Sequence, residues 1–406
     1  MSWTREQRNV TIAAYLGWTL DAFDFFLMVF ILKDIAAEFH TEISSVTYAI
    51  FLTLMARPVG ALIFGRLADR FGRRPTLMVN IACYSLLELL SGFSPNLATL
   101  LVLRTLFGVA MGGEWGVGSA LTMETIPPRS RGFVSGLLQA GYPSGYLLAS
   151  LVFGQLYQYI GWRGMFFVGV LPALLVLYVR AHVPESPAWQ TMQQRPRPGL
   201  IATLRQNVKL SIYAIVLMTA FNFFSHGTQD LYPTFLRVQH KFGPEIVQNI
   251  SIVLNVGAIV GGLFFGALSE KIGRKRAIFI AALIALPALW PWAFSTGPLM
   301  LAAGAFLMQI SVQGAWGVIP VHLNEISPDD IRATFPGLVY QLGNLLAAIN
   351  GPMQAKFAEA HGNNYALPMA LVAGIVAVVI AVLILFSRER RGIDMTQSAK
   401  EVAALH

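Results

Sequence analysis

About twelve stretches of this 406-residue chain are each long and apolar enough to cross a lipid bilayer: roughly 10–35, 44–67, 75–93, 97–120, 132–158, 163–181, 209–236, 246–269, 277–296, 298–321, 333–357 and 365–387. A helix spans hydrocarbon with about 20 apolar residues. There it has no water to satisfy its N–H and C=O groups, so the backbone pairs with itself. Charged residues make up 12% of the chain and hydrophobic ones 55%, where a soluble domain carries about 25% charged. The expectation is an all-α integral membrane protein. The first apolar stretch follows a short polar start and is flanked like the others, so no cleavable signal peptide is expected. The single cysteine, Cys83, excludes an internal disulfide and says nothing of compartment.

The net charge of +8 would suit a nucleic-acid binder, but its distribution argues otherwise. With the N-terminus on the cytoplasmic side, all but seven of the 29 lysines and arginines fall on cytoplasmic segments or span ends. The seven are Lys33, Arg57, Arg104, Arg163, Arg237, Lys241 and Lys356. That is the positive-inside bias. It predicts a multi-pass cell-membrane protein with both termini cytoplasmic, in contact with anionic lipid and without a nucleic-acid partner.

The chain repeats itself. Adding 201 to a first-half residue number gives its second-half counterpart without gaps: Gly65 meets Gly266, Asp69 meets Glu270, Gly72 meets Gly273, Arg73 meets Arg274, Trp115 meets Trp316, Glu124 meets Glu325, Arg131 meets Arg332 and Gly161 meets Gly362. This predicts a first half over 1–183, a polar Pro-rich cytoplasmic linker over 184–208, a second half over 209–388, and a cytoplasmic tail over 389–406 that is solvated and disordered after Arg391. The repeat also shows where symmetry breaks. Asp21, Asp24, Arg104 and Glu114 correspond to Asn222, Ser225, Ala305 and Ala315. Loop residues are duplicated, whereas charges inside the spans are not.

Those unduplicated charges mark the site. Asn222, Ser225, His226, Gln229 and Asp230 follow one another at helical spacing and share a face, with Phe223, Phe224 and Leu231 pointing elsewhere. A charge at the centre of a span costs about 2.5–3.5 kcal/mol, so such a ridge needs a watery cavity or polar partners. Asp21 and Asp24 share a face at i, i+3. Arg104 cannot shed its charge and demands an anionic partner, from the protein, the substrate, or each in turn. Arg57 or Arg104 balances the carboxylates. Glu114 reads equally as a proton site or as a hydrogen bond to a neighbouring helix. Tyr340, Gln341 and Asn344 add an amide-bearing face that either orients a substrate or ties helices together. In the fifth span Gln139, Tyr142 and Tyr146 lie beside Pro143, which is expected to kink it. The His residues are scattered, and no phosphate loop, metal-spaced set or nucleophile elbow is present; neither an enzyme nor a cofactor is expected.

The ridge resembles the N-x-x-[ST]-H-x-[ST]-Q-D-x-x-x-T signature of the lactate/pyruvate:proton permeases, in the sialate:proton symporter family of the major facilitator superfamily. Asn222, Ser225, His226, Thr228, Gln229, Asp230 and Thr234 fill every specified position, although Thr228 falls off the polar face. Asp21-Ala-Phe-Asp24 resembles the Asp-Gly-Phe/Tyr-Asp element of organic-acid symporters, with Ala22 in the Gly place. Gly65 to Arg74 resembles the superfamily's loop between helices 2 and 3, and Arg104 the arginine of its helix-4 motif. Gln341 and Asn344 resemble a pair in the permeases' eleventh helix.

The resemblance implies twelve transmembrane helices in two parallel, pseudo-symmetric six-helix halves. It implies proton-coupled symport of a short monocarboxylate by alternating access, with a small organic anion and a proton as partners and no obligatory protein partner. Asn222, Ser225, His226, Gln229, Tyr340, Gln341, Asn344 and Arg104 are expected at substrate. Asp230, Asp21, Asp24 and Glu114 are expected to carry the proton. Gly65, Asp69, Arg73, Glu124, Arg131, Glu270, Arg274, Glu325 and Arg332 are expected to form the cytoplasmic gate. Another organic anion, such as sialic acid, an aromatic acid or a dicarboxylate, is the nearest rival reading. A non-transporting membrane sensor is a remote one.

Overall fold

The computed structural model describes residues 3–41, 43–192, 200–393 and 395. Part of the predicted linker, 193–199, and of the predicted tail, 394 and 396–406, lies outside the described residues.

Sixteen α-helices succeed one another among the described residues: α1 Arg5–Glu38, α2 Ile43–Phe71, α3 Arg73–Gly92, α4 Leu97–Thr125, α5 Arg131–Val168, α6 Ala173–His182, α7 Pro187–Met192, α8 Leu200–Gln206, α9 Val208–Gln229, α10 Tyr232–Val238, α11 Pro244–Ile272, α12 Arg274–Leu289, α13 Pro298–Ile326, α14 Thr334–Ala347, α15 Asn350–Ala360 and α16 Ala366–Leu385. Local chemistry sets several boundaries. Thr4 and Gln7 exchange side-chain hydrogen bonds at the start of α1, a capping box. Asn96 caps α4 by accepting from Thr99 N. Gly72 and Gly273 separate α2 from α3 and α11 from α12 with φ of 115° and 97°, a region that disfavours any side chain.

Eight helices are each long and apolar enough to cross a membrane, and the bent pair Gln155–Val168 with Ala173–His182 makes a ninth. The other predicted crossings run through α3, the first part of α5, and α14 with α15. The α3 crossing is diluted by Asn80, Ser85 and Glu88. The path remains consistent with twelve crossings, with three expected spans broken. Gly161, at φ 62°, divides α5 between the fifth and sixth spans, and the sixth itself breaks between Val168 and Ala173. The seventh span breaks at Asp230, which caps α9, before Pro233 opens α10. The eleventh breaks between α14 and α15. Large apolar side chains such as Leu106, Val260, Ile375 and Val382 stay exposed on the outside, a surface suited to lipid.

Within each half, α2 packs on α4 and α11 on α13; between halves, α2 packs on α14 and α5 on α11. The second pair of contacts is tight because its surfaces are small residues. A Cβ placed on Gly136 would lie 2.2 Å from Gly262 O.

On the face that carries Trp3 and Met395, the repeat closes on itself. Asp69 accepts from Ala333 N at 3.0 Å and Thr334 N at 3.1 Å, and also from the Thr334 hydroxyl. Its counterpart Glu270 accepts from Gly132 N at 2.7 Å and Phe133 N at 3.3 Å. Gly132 and Phe133 are the repeat counterparts of Ala333 and Thr334, so each half offers a carboxylate to the helix start of the other. Free N–H groups and the helix dipole favour an anion at that position. Arg73 braces the first loop with bonds of 3.0 and 2.9 Å to Glu124, and Arg274 repeats this on Glu325 at 3.1 and 3.1 Å.

One expectation fails here. The tail was expected to be solvated and disordered after Arg391, yet it is engaged as far as Met395. Glu389 accepts from Arg274 N and Lys275 N. The carbonyls of Ile393 and Met395 accept from Arg131 at 2.7 Å and Arg332 at 3.2 Å. Met395 is 2% exposed. Two guanidinium groups buried at the gate need oxygens, and the tail backbone supplies them. Neutralising the latch is expected to open this face. In a chain with Cys83 replaced, Asp69→Asn should raise labelling of a cysteine at the buried position Ser119 about tenfold, because hydrogen bonds to a charged acceptor are the stronger kind. Unchanged labelling would rule the latch out.

Candidate functional site

With that face latched, a cavity of about 630 Å³ opens between the halves toward the opposite face. The first half lines it with Trp18, Phe25 and Phe26 of α1, Arg57 of α2, and Gln139, Tyr142 and Tyr146 of α5. The second half lines it with Asn222, Ser225, His226, Gln229 and Asp230 at the end of α9, Ser251 and Asn255 of α11, Gln309, Gln313 and Trp316 of α13, and Tyr340 and Asn344 of α14. Pro143, inside α5, is also on the wall. The counterparts Trp115 and Trp316 pack on Tyr340, with ring centroids 4.9 and 5.4 Å away.

The α9 ridge stands on this wall as a connected set. His226 Nδ1 lies 3.1 Å from Asp230 Oδ2, and its Nε2 lies 3.0 Å from Asn344 Oδ1. Both ring nitrogens face side-chain oxygens, an arrangement that a ring carrying two protons satisfies on both sides. Asn222 donates to Met218 O at 2.7 Å. Gln229 donates to Gln309 Oε1 at 2.9 Å, and Gln309 donates to Thr228 Oγ1 at 3.3 Å. This explains why Thr228 lies off the polar face: it anchors the ridge from behind.

The first-half charges lie differently from expectation. Asp21, Asp24, Glu114 and Arg104 are buried behind the wall, and none of them lines the cavity. Arg104 was expected at substrate. Instead it forms an ion pair with Glu88 of α3 and lies over the Phe107 ring at 3.9 Å. A guanidinium at this depth is held by its nearest carboxylate, and here that group comes from the protein. Gln341, also expected at substrate, is 1% exposed and does not reach the wall. Asp21 lies 3.4 Å from Arg57. Asp24 has no hydrogen-bond partner on either oxygen among the described residues.

Several wall residues were not anticipated. Arg57 had been assigned only to balancing carboxylates, yet among the described residues it is the one arginine or lysine on the wall. Gln309, Gln313, Ser251 and Asn255 are neutral and gave no sequence signal. Glu88 did give one, since a carboxylate inside a predicted span is itself a flag. Among the described residues no group of His, Cys, Asp and Glu is arranged to hold a metal.

Two repeated halves around a cavity, latched on one face and open on the other, are the architecture of a membrane carrier. The chain belongs to the Major Facilitator Superfamily, whose profile matches residues 13–247; a second profile, Sugar (and other) transporter, matches residues 218–391. It is 30% identical to the sialic acid transporter NanX of Escherichia coli over 83% of this chain and 84% of that protein. It is 27% identical to a carboxylic acid transporter protein homolog of Saccharomyces cerevisiae, over 98% of this chain and 70% of that one. The fold matches the proton:xylose symporter XylE with a TM-score of 0.81 at 19% identity, over 98% and 99% of the two chains. The family and these relatives are transporters rather than enzymes.

The Arg104–Glu88 pair makes a prediction about stability. Glu88→Gln leaves a buried guanidinium unpaired and should cost on the order of 3–5 kcal/mol, read as a lowered unfolding temperature in detergent. Replacing both residues, Glu88→Leu with Arg104→Met, should recover most of that loss. A single variant that melts like the parent would show that the pair is not needed.

Proposed function

We propose that this chain is a proton-coupled symporter of small organic anions, with short monocarboxylates of the lactate and pyruvate class as substrates. The observation that carries the reading is the cavity wall itself. Arg57 from the first half and the His226–Asp230–Asn344 chain from the second enclose one space, among amides and hydroxyls. A carboxylate entering there meets one permanent cation and one cation that depends on a proton. The remaining polar groups are neutral and orient the rest of the molecule.

Coupling follows from charge. An anion moving inward against an inside-negative potential is opposed by about 2.3 kcal/mol per 100 mV, and one accompanying proton cancels that cost. His226 is the group on the wall whose hydrogen bonding changes with a single proton. Asp21 and Asp24 are the proposed carriers behind it. Arg57 lies 3.4 Å from Asp21, so a substrate carboxylate and Asp21 compete for the same guanidinium. A proton on Asp21 frees Arg57 for the substrate. Asp24 has no hydrogen-bond partner among the described residues, and burying such a group as an ion costs far more than burying the acid. Glu114 lies behind the same wall as a further proton site. Alternating access then exchanges the Asp69 and Glu270 latches for closure of the opposite face.

A larger organic acid is the second reading. The cavity of about 630 Å³ is roomy for a three-carbon acid, and a named sialic acid transporter is among the relatives.

Uptake of labelled lactate into proteoliposomes with an imposed pH gradient tests the proposal, with pyruvate, acetate, sialic acid and benzoate as competitors. Uptake should collapse when a proton carrier dissipates the gradient. Uptake indifferent to that gradient rejects proton coupling, and competition by sialic acid or benzoate alone rejects the short-acid assignment. His226→Ala and Asp230→Asn should each lose gradient-driven uptake. Arg57→Gln should weaken apparent affinity at least about tenfold, and parental uptake in any of the three removes that residue from the mechanism.

A further inference from the structure

Two glutamines of α13 face the ridge, and they differ in one respect. Gln309 is fully committed: its oxygen accepts from Gln229 at 2.9 Å and its nitrogen donates to Thr228 at 3.3 Å. Gln313 is not. Its Nε2 lies 3.5 Å from Ser225 Oγ, while its Oε1 is buried without any hydrogen-bond partner among the described residues. The side chain is 4% exposed and stands on the cavity wall. A buried amide oxygen without a donor is a standing cost to the protein. It is recovered when the amide turns far enough for a donor in the cavity to reach the oxygen.

We infer that Gln313 is a specificity-determining residue, whose free amide oxygen accepts a hydrogen bond from a substrate hydroxyl. The inference rests on the organic-anion reading above and deepens it. Near this oxygen the nitrogens of Gln229 and His226 are engaged with Gln309, Asp230 and Asn344, and Ser225 Oγ accepts from the Gln313 nitrogen. What is missing at Gln313 is a donor. A 2-hydroxy acid brings one, in addition to the carboxylate that Arg57 takes. A 2-keto acid offers only acceptors, leaving the Gln313 oxygen unpaired and adding a second lone pair against it. A site built to bind a hydroxyl discriminates against the analogue lacking it far better than an apolar pocket separates sizes. Gln139 of α5 repeats the condition from the other half: it is on the wall, 6% exposed, with its Oε1 unpartnered. A substrate with a second hydroxyl would find an acceptor there.

The test compares lactate with pyruvate as competitors of labelled lactate uptake, in the parent and in Gln313→Met, which keeps the side chain's length and loses its acceptor. The parent should prefer lactate by about tenfold or more. Gln313→Met should lose about tenfold in lactate affinity while pyruvate changes less than about twofold, so that the ratio collapses. The ratio is read within one folded population and is therefore insensitive to a lower yield of active carrier. Gln313→Asn, smaller but still an amide, serves if the methionine variant does not assemble, and it should narrow the ratio without abolishing it. A parent that prefers pyruvate, or a variant in which both acids weaken alike, overturns the assignment. A parent that takes up none of the acids defeats the organic-anion reading itself and this inference with it, an outcome separate from loss of selectivity alone.

Discussion

The carboxylate of Asp69 resting on the helix start at Ala333 and Thr334, and that of Glu270 resting on Gly132 and Phe133, hold the two halves together on one face. Because the chain is a repeat, one interaction is made twice, in opposite directions across the interface. Each latch closes the same face, so the cavity can open only on the other. Each is also modest. Opening exchanges these bonds for bonds to water, so the net cost per bond is small. That is the condition for a gate that cycles rather than a seam that stays shut. Arg73 on Glu124 and Arg274 on Glu325 lie within a half, so the loops keep their shape whether or not the latches are made.

The interior uses the halves unequally. The first half puts its charge behind the wall: Asp21 with Arg57, Glu88 with Arg104, and Asp24 and Glu114 among them. The second half puts hydrogen-bonding groups on the wall, from α9, α11, α13 and α14. Arg57 joins the two systems, since it faces the cavity and also the buried Asp21. Behind a low-dielectric wall a proton on one carboxylate is felt by its neighbours far more than it would be in water. This gives a route by which protonation in one half alters what the cavity offers an anion.

Much of this was legible in the chain. Hydropathy identified the spans, the offset of 201 identified the paired carboxylates Asp69 and Glu270, and helical spacing identified the α9 ridge. Glu88 was legible too, because its cost inside a span is as plain as that of Arg104. Arg104 was misread for the same reason: its need for an anion was evident, but which anion met it was not. The tail at Ile393 and Met395 was misread because its polarity suits solvent, and nothing local reveals that two arginines would need its carbonyls.

The sequence by itself determined the class of the molecule, its twofold repeat and the polar face of α9, because desolvation cost, period and repetition are properties of a segment and its spacing. Only the tertiary structure decided which polar groups reach the cavity. It placed Gln309 and Gln313 on the wall and left Gln341 off it, and it gave Arg104 to Glu88 and Arg57 to the cavity. A helix's pattern says which residues share a face. The rotation that turns that face toward a cavity or a neighbour is set by packing among helices far apart in the chain.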